Sequence, residues 1–318
     1  MEDVHKQNIE YLSKLLRTKK IPGVLLCKDF SVSYFKSGGG THLYLITDGK
    51  KKYLARVNFY PLKNGWGVKK QEYLILKKIE SLKIAPKAYY LSTNNPLKQH
   101  FTIVDYVEGE PLGRFTDAQI VSVAKTLKKV HAITFKRPGD TFPPKDVLPY
   151  TCDMFTLYAN GEDKQIEKYK DLPDIALVIE PFNRVKKSLG AYFNALHCFD
   201  GIKIFCLVHA DLKKENMLAK GDKVALIDWE CGGSDIPETD IGNFFADSKL
   251  TKAQQQLFLT TYYGRPVDAV HLERIYAVKK ILDFFRIMSD YIFHKRKPWN
   301  AQKMRDEILR FEKTVPKA

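Results

Sequence analysis

His209, Asp211 and Asn216 fall in one short stretch, VHADLKKENML, and Asp228 follows at the end of the apolar run Val224 to Asp228. That run reads as a short buried strand, with Asp228 where the chain leaves it. The return of the chain then brings Asp211, Asn216 and Asp228 to one mouth. Phosphoryl transfer from ATP needs such a set. One carboxylate orients an attacking hydroxyl and accepts its proton, while an amide oxygen and a second carboxylate hold Mg2+ against the phosphates. Asp211 is therefore the candidate base, and Asn216 and Asp228 are the candidate magnesium ligands. His209 joins the catalytic group as a support for the loop rather than as an acid or base.

A second feature suits the same donor. Ser37 to His42 reads SGGGTH between two strand candidates. Gly38, Gly39 and Gly40 would let backbone N–H groups close over a polyphosphate with no Cβ in the way.

Other elements must position these residues. Residues 2 to 18 read as an amphipathic helix, with Ile9, Leu12 and Leu16 on one face. The segments FSVSYF, LYLIT, YLARVNF, AYYLST and FTIVDYV are aromatic and β-branched, and turn signals separate them. A helix over about 68–83 is inserted among them. After VEGEPL the pattern becomes mainly helical, with Ile120, Ala124, Leu127 and His131 at helical spacing. Five prolines between 137 and 175 predict loops and short helices there. A helix near 179–197 precedes the Asp211 segment, and helices follow from 238 to 313.

The net charge of +15 raises the question of a nucleic-acid partner. The lysines, however, come as pairs spread along the chain, Lys50–Lys52, Lys69–Lys70 and Lys128–Lys129 among them. Such pairs read as solvated surface, so no dedicated nucleic-acid site is expected. No run approaches the roughly 18 apolar residues of a transmembrane helix. Five scattered cysteines without C-x-x-C spacing suggest a reducing cytoplasm and no structural zinc. Between Val224 and Ser248 there are six acidic residues and no lysine or arginine. This reversal of sign suggests a cationic small-molecule acceptor. Aromatic residues crowd the helices that would wall the site. Most read as core, with Tyr291 and Trp299 the candidates for a pocket that holds an ammonium group.

The order His-x-Asp-x-x-x-x-Asn, then Asp after an apolar strand, resembles the protein-kinase-like superfamily. The segment IDWE, in place of Asp-Phe-Gly, is similar to its small-molecule branch, the aminoglycoside phosphotransferases and choline/ethanolamine kinases. The resemblance runs from about residue 30 to 295 and implies an α+β, bilobal kinase-like fold. Residues 1–107 would form a nucleotide-binding lobe with an antiparallel sheet and one helix. Residues 108–318 would form a larger, mainly helical catalytic and acceptor-binding lobe.

It also implies roles for further residues. Arg56 in LARV stands where the fold keeps a cation for the phosphates, and Glu72 would aim it. An arginine there looks like choline kinases. Asp105 and Val107 lie along the hinge that meets the adenine edge. Lys213 matches a phosphate-steering lysine of protein kinases. Glu230 would lie close to metal and substrate. Asp240, in DIGNFF, would brace the catalytic loop. His-Ala-Asp stands where choline kinases carry His-Asn-Asp. An amino alcohol is thus the first acceptor class. An aminoglycoside, a sugar, thiamine or an amino acid comes next, and a basic binding protein without turnover is the alternative of another class.

Overall fold

The computed structural model describes residues 2–38, 40–61, 68–139, 169–293 and 297–316. Gly39 and most of the proline-bearing segment, residues 140–168, lie outside the described residues. Helix α1 (Glu2–Thr18) packs Leu12 against the back of a sheet formed by β1 (Ser31–Gly38), β2 (Thr41–Thr47), β3 (Lys52–Pro61), β4 (Ala88–Ser92) and β5 (Gln99–Asp105). The strand order is β1-β2-β3-β5-β4, antiparallel throughout. Alternation on β2 and β3 explains the arrangement. Tyr44, Ile46, Tyr53, Ala55 and Val57 turn inward to a core shared with α1. Helix α2 (Val68–Ile79) is inserted after β3. It closes with a 3₁₀ turn and Lys83 in the left-handed region, a shorter helix than the sequence pattern implies.

The chain then crosses to its helical part through β6 (Glu110–Pro111), which pairs with β9 (Met217–Lys220) and so joins the β9–β10 hairpin, β10 being Lys223–Leu226. Gly109 permits this crossing. Its φ is +150°, and a Cβ there would stand 2.8 Å from the Ala219 carbonyl oxygen. Helix α3 (Asp117–His131) opens on a capping box between Thr116 and Gln119. A second small sheet has the order β11-β8-β7, from Gly233–Asp235, Phe205–Val208 and Thr134–Phe135. Helices α4 (Ala176–Asn194), α5 (Pro237–Ser248), α6 (Lys252–Tyr263), α7 (Ala269–Met288) and α8 (Ala301–Glu312) complete the described chain.

Three large apolar clusters hold these elements, with a small fourth formed by Ala246, Val278 and Leu282. One lies under the sheet, and a second joins α4, α7 and α8. The largest surrounds the Asp211 loop and crosses the expected boundary at 107–108. Ile75, Leu76, Ile79 and Val104 share it with Leu127, Leu212, Trp229 and Phe244. Helices α5 and α7 approach so closely that only glycine fits at 242. A Cβ would lie 2.6 Å from Val278 Cγ1 and 2.9 Å from the Ile275 carbonyl oxygen. Overpacking of this kind costs about 1–3 kcal/mol. Gly242→Ala should therefore lower the free energy of unfolding by that amount in urea titration, and an unchanged midpoint would contradict the close approach.

Candidate active site

The loop after β8 begins with His209, which is fully buried. Its Nε2 donates to the Ile227 carbonyl (2.9 Å), and its Nδ1 accepts the Asp211 amide (3.3 Å). Both ring nitrogens are thus committed within the fold. The ring also packs on Trp229, with centroids 4.5 Å apart. The next residue, Ala210, takes φ +62°, which is unfavourable for any side chain with a Cβ. Asp240, fully buried on α5, holds it there. Its carboxylate accepts the His209 amide (2.8 Å), the Ala210 amide (2.8 Å) and His131 Nε2 (3.1 Å), while His131 Nδ1 faces the Tyr262 hydroxyl at 2.7 Å.

This geometry presents Asp211 to the cleft with its side chain 30% exposed. One of its oxygens, Oδ2, accepts from Lys213 Nζ (2.7 Å) and Asn216 Nδ2 (2.8 Å). The other oxygen has no protein partner among the described residues, which leaves it for an incoming hydroxyl. Asn216 is buried and commits its amide nitrogen to Asp211, so its carbonyl oxygen is the free end.

Asp228 sits in the left-handed region, φ +67°, at the exit of β10. Its Oδ1 pairs with Arg56. Burial opposes its charge, but Arg56, Lys69 and Lys213 outweigh burial and hold it below the usual carboxylate range. Arg56, on β3, is buried and bound by both oxygens of Glu72 from α2, at 3.2 Å from Nε and 3.1 Å from Nη2. Burial works against its charge too, and Glu72, Asp228 and Glu230 keep it protonated.

The donor chemistry fits magnesium. Asn216 Oδ1 and Asp228 Oδ2 are hard oxygens that carry no internal hydrogen bond among the described residues, one neutral and one charged.

The glycine turn joins β1 to β2. Gly40 takes φ +80°, and Ser37 Oγ lies 2.7 Å from His42 Nδ1. Asp105 closes β5 with its amide on the Lys87 carbonyl (2.9 Å) and its carboxylate on the Tyr89 hydroxyl (2.7 Å), and Val107 follows, half-buried, in the connection to β6.

Two substrate candidates, Tyr291 and Trp299, are placed differently from the sequence reading, whereas Glu230 stays beside Asp228. Glu230 faces Lys69 Nζ at 2.8 Å. Its carboxyl is raised, through burial first, with Asp228 and Glu72 adding to it and Lys69 opposing. Tyr291 is buried in the α4–α7–α8 core and donates to Glu307 (2.8 Å), with Lys297 over its ring. Trp299 packs against that same core and donates to the Pro173 carbonyl (3.0 Å). Neither belongs to the cluster around the Asp211 loop.

The six acids of the 224–248 stretch are likewise committed internally. Asp228 and Glu230 face cations. Asp235 accepts the Ile236 amide and the Thr239 hydroxyl, and Glu238 pairs with His271. Asp240 braces the loop, and Asp247 accepts the Lys214 amide (2.7 Å) and faces Arg286 (3.4 Å). The sign reversal thus reflects internal pairing, because backbone amides and partners from distant elements balance those charges.

Lys69 corrects the sequence reading. Its place in a lysine pair suggested a solvated face, yet it is fully buried between Glu72 and Glu230. Its position one turn before Glu72 was the available signal.

A phosphotransferase enzyme family model matches residues 31–270. Among solved structures, a choline kinase from Cryptosporidium parvum Iowa II is 17% identical, covers 96% of this chain and 95% of its own, and has a TM-score of 0.61. An ADP-bound aminoglycoside phosphotransferase, APH(2'')-Ib, is 18% identical, with coverage of 96% and 97% and a TM-score of 0.60. A choline kinase from Streptococcus pneumoniae is 16% identical, with coverage of 98% and 99% and a TM-score of 0.60. Curated proteins compared by sequence give no match. The likeness to the solved structures establishes the bilobal kinase-like fold.

Replacing Asp240 by asparagine removes the charge and one acceptor from three donors. Losing a hydrogen bond to a charged group costs about 1.5–3 kcal/mol. Asp240→Asn should therefore speed amide hydrogen exchange at His209 and Ala210 by about tenfold or more. Unchanged protection at both amides would refute the brace.

Proposed function

Taking as premise that the chain belongs to the phosphotransferase enzyme family, we propose that it transfers the γ-phosphoryl group of ATP, with Mg2+, to a hydroxyl of a small molecule. The observation that carries this reading is the convergence of Asp211, Asn216 and Asp228 at one mouth, with Arg56 held on Asp228 by Glu72. Residues 1–107 bind the nucleotide in this reading, and residues 108–318 carry the catalytic loop and the acceptor.

The glycine turn, including Gly38 and Gly40, closes over the phosphates, Val107 and the backbone near Asp105 meet the base, and Arg56 neutralises the α and β phosphates. Asn216 and Asp228 hold the magnesium, which supplies charge neutralisation at the transferring phosphoryl group. Asp211 holds the acceptor hydroxyl in line and takes its proton, while Lys213, bonded to Asp211, stands ready for the γ-phosphate. His209 fixes the loop through both ring nitrogens. Glu230, bound to Lys69, is assigned to the metal side of the site.

For the acceptor, a choline- or ethanolamine-like amino alcohol is the first class. Arg56 at the phosphate-binding position and the DIGNFF segment support it. A specific observation favours a second class, a polyhydroxylated amine such as an aminoglycoside or amino sugar. A cavity of about 380 Å³ is lined by Lys279, Asp283, Arg286, Asp290, Lys297 and Glu307, with Phe245 as its one aromatic wall among the described residues. Arg286 of its lining faces Asp247, whose other oxygen holds the Lys214 amide. Charged walls of this kind suit many hydroxyl and amino groups better than a small quaternary ammonium, which needs aromatic faces.

The test is ADP release with magnesium against choline, ethanolamine, aminoglycosides, amino sugars, thiamine and homoserine. Turnover with an amino alcohol supports the first class and turnover with a polyhydroxylated amine the second. Nucleotide binding without turnover on any of them would favour a binding protein. Asp211→Ala should lower kcat by a factor of about 10³ or more, the order seen when a residue acting in phosphoryl transfer is removed, with nucleotide affinity within about threefold of wild type. Retained turnover in that variant would remove Asp211 from the mechanism.

A further inference from the structure

A ring of ion pairs links α2 to the turn that carries Asp228. Glu72 Oε2 accepts from Arg56 Nε (3.2 Å) and from Lys69 Nζ (3.0 Å). Arg56 continues to Asp228, and Lys69 continues to Glu230 Oε2 (2.8 Å). Asp228 and Glu230 are two residues apart, so the backbone closes the ring. Lys69 and Glu72 are essentially inaccessible to solvent. An ammonium has three donors and no acceptor, and a buried one is tolerated only between acceptors that share its charge.

Non-polar contacts run along the same seam. Gly232 lies so close to α2 that a Cβ would meet Ile75 Cδ1 at 2.8 Å, and Gln71 donates to the Gly232 carbonyl. Helix α2 and the 228–232 turn are thus packed as one unit, and Lys69 is the electrostatic part of that joint.

We infer that Lys69 is a positioning residue, one that holds Glu230 and Glu72 in the arrangement which lets Asp228 and Asn216 take up a magnesium–nucleotide. The inference rests on the function proposed above. Three carboxylates against two cations leave the ring with one unbalanced negative charge, which favours an entering cation. Asp228 Oδ2 and Glu230 Oε1 are its oxygens without an internal bond among the described residues. Without Lys69, Glu230 keeps the repulsion of Asp228 and Glu72 and loses its ion-pair partner. Glu230 is then free to swing out, and the turn that aims Asp228 loosens with it. A merely stabilising salt bridge would leave the metal requirement unchanged.

The experiment measures binding of a fluorescent mant-ATP probe to the full chain, in EDTA and across a magnesium titration. Removing a group that orients metal ligands typically weakens metal affinity 10–100-fold, so Lys69→Met should raise the half-maximal magnesium concentration by about tenfold or more. Affinity in EDTA should stay within about twofold, since Arg56 and the glycine turn are untouched. Lys69→Arg should restore the wild-type magnesium midpoint. In a Glu230→Gln background, Lys69→Met should add less than about twofold, because the two residues act through one interaction.

A wild-type magnesium midpoint in Lys69→Met overturns the inference, as does an equal loss of binding in EDTA and in magnesium. Should Lys69→Met fail to fold, the double variant, with both charges removed, decides the matter. A wild-type midpoint there overturns the inference, and a raised midpoint equal to that of Glu230→Gln alone supports it. Wild-type protein that binds no nucleotide would overturn the proposed function and this inference together, whereas wild-type binding matched by Lys69→Met overturns this inference alone.

Discussion

The Asp240 carboxylate accepts two consecutive backbone amides and an imidazole, and those bonds keep Ala210 in the left-handed region. A non-glycine residue held there costs about 1–3 kcal/mol. Hydrogen bonds to a charged acceptor return about 1.5–3 kcal/mol each, so three of them outweigh the strain. The direction of Asp211 follows from the backbone conformation one residue earlier. Asp240 also lies on α5, which Gly242 lets approach α7, so helix packing reaches the Asp211 carboxylate through a single side chain.

The opposite wall is set by charge. Arg56, buried on β3, pairs with the half-buried Asp228 of the turn after β10. Asp228 and Glu230 lie close together yet have carboxyl groups displaced in opposite directions, because cations dominate around the first and burial around the second. Environments that separate two neighbouring acids in this way are common where charge must be placed for chemistry.

The grouping of Asp211, Asn216 and Asp228 was legible in sequence because these residues are close in the chain and their spacing is fixed by one loop and one hairpin. The sheet was legible from strand alternation and glycine turns. What escaped the sequence were charge balances between distant segments. Lys69 finds Glu230 161 residues away, so its lysine neighbourhood suggested solvent when its environment is fully buried. The acidic stretch looked unbalanced because its partners, among them the Lys214 amide, His271 and Arg286, are backbone groups or lie on other elements. Trp229 is fully buried against His209 with its indole N–H on the Leu226 carbonyl, a core role like that expected of most of the aromatic residues.

The largest apolar cluster joins Ile75, Leu76 and Ile79 of α2 to Leu127, Leu212 and Phe244. Helix α2 therefore packs with the helical part of the chain that follows it, while α1 shares a separate cluster with the central strands β2, β3 and β5. A fragment cut at residue 107 would leave α2 with its apolar face in water, so the boundary drawn along the chain differs from the one drawn by packing.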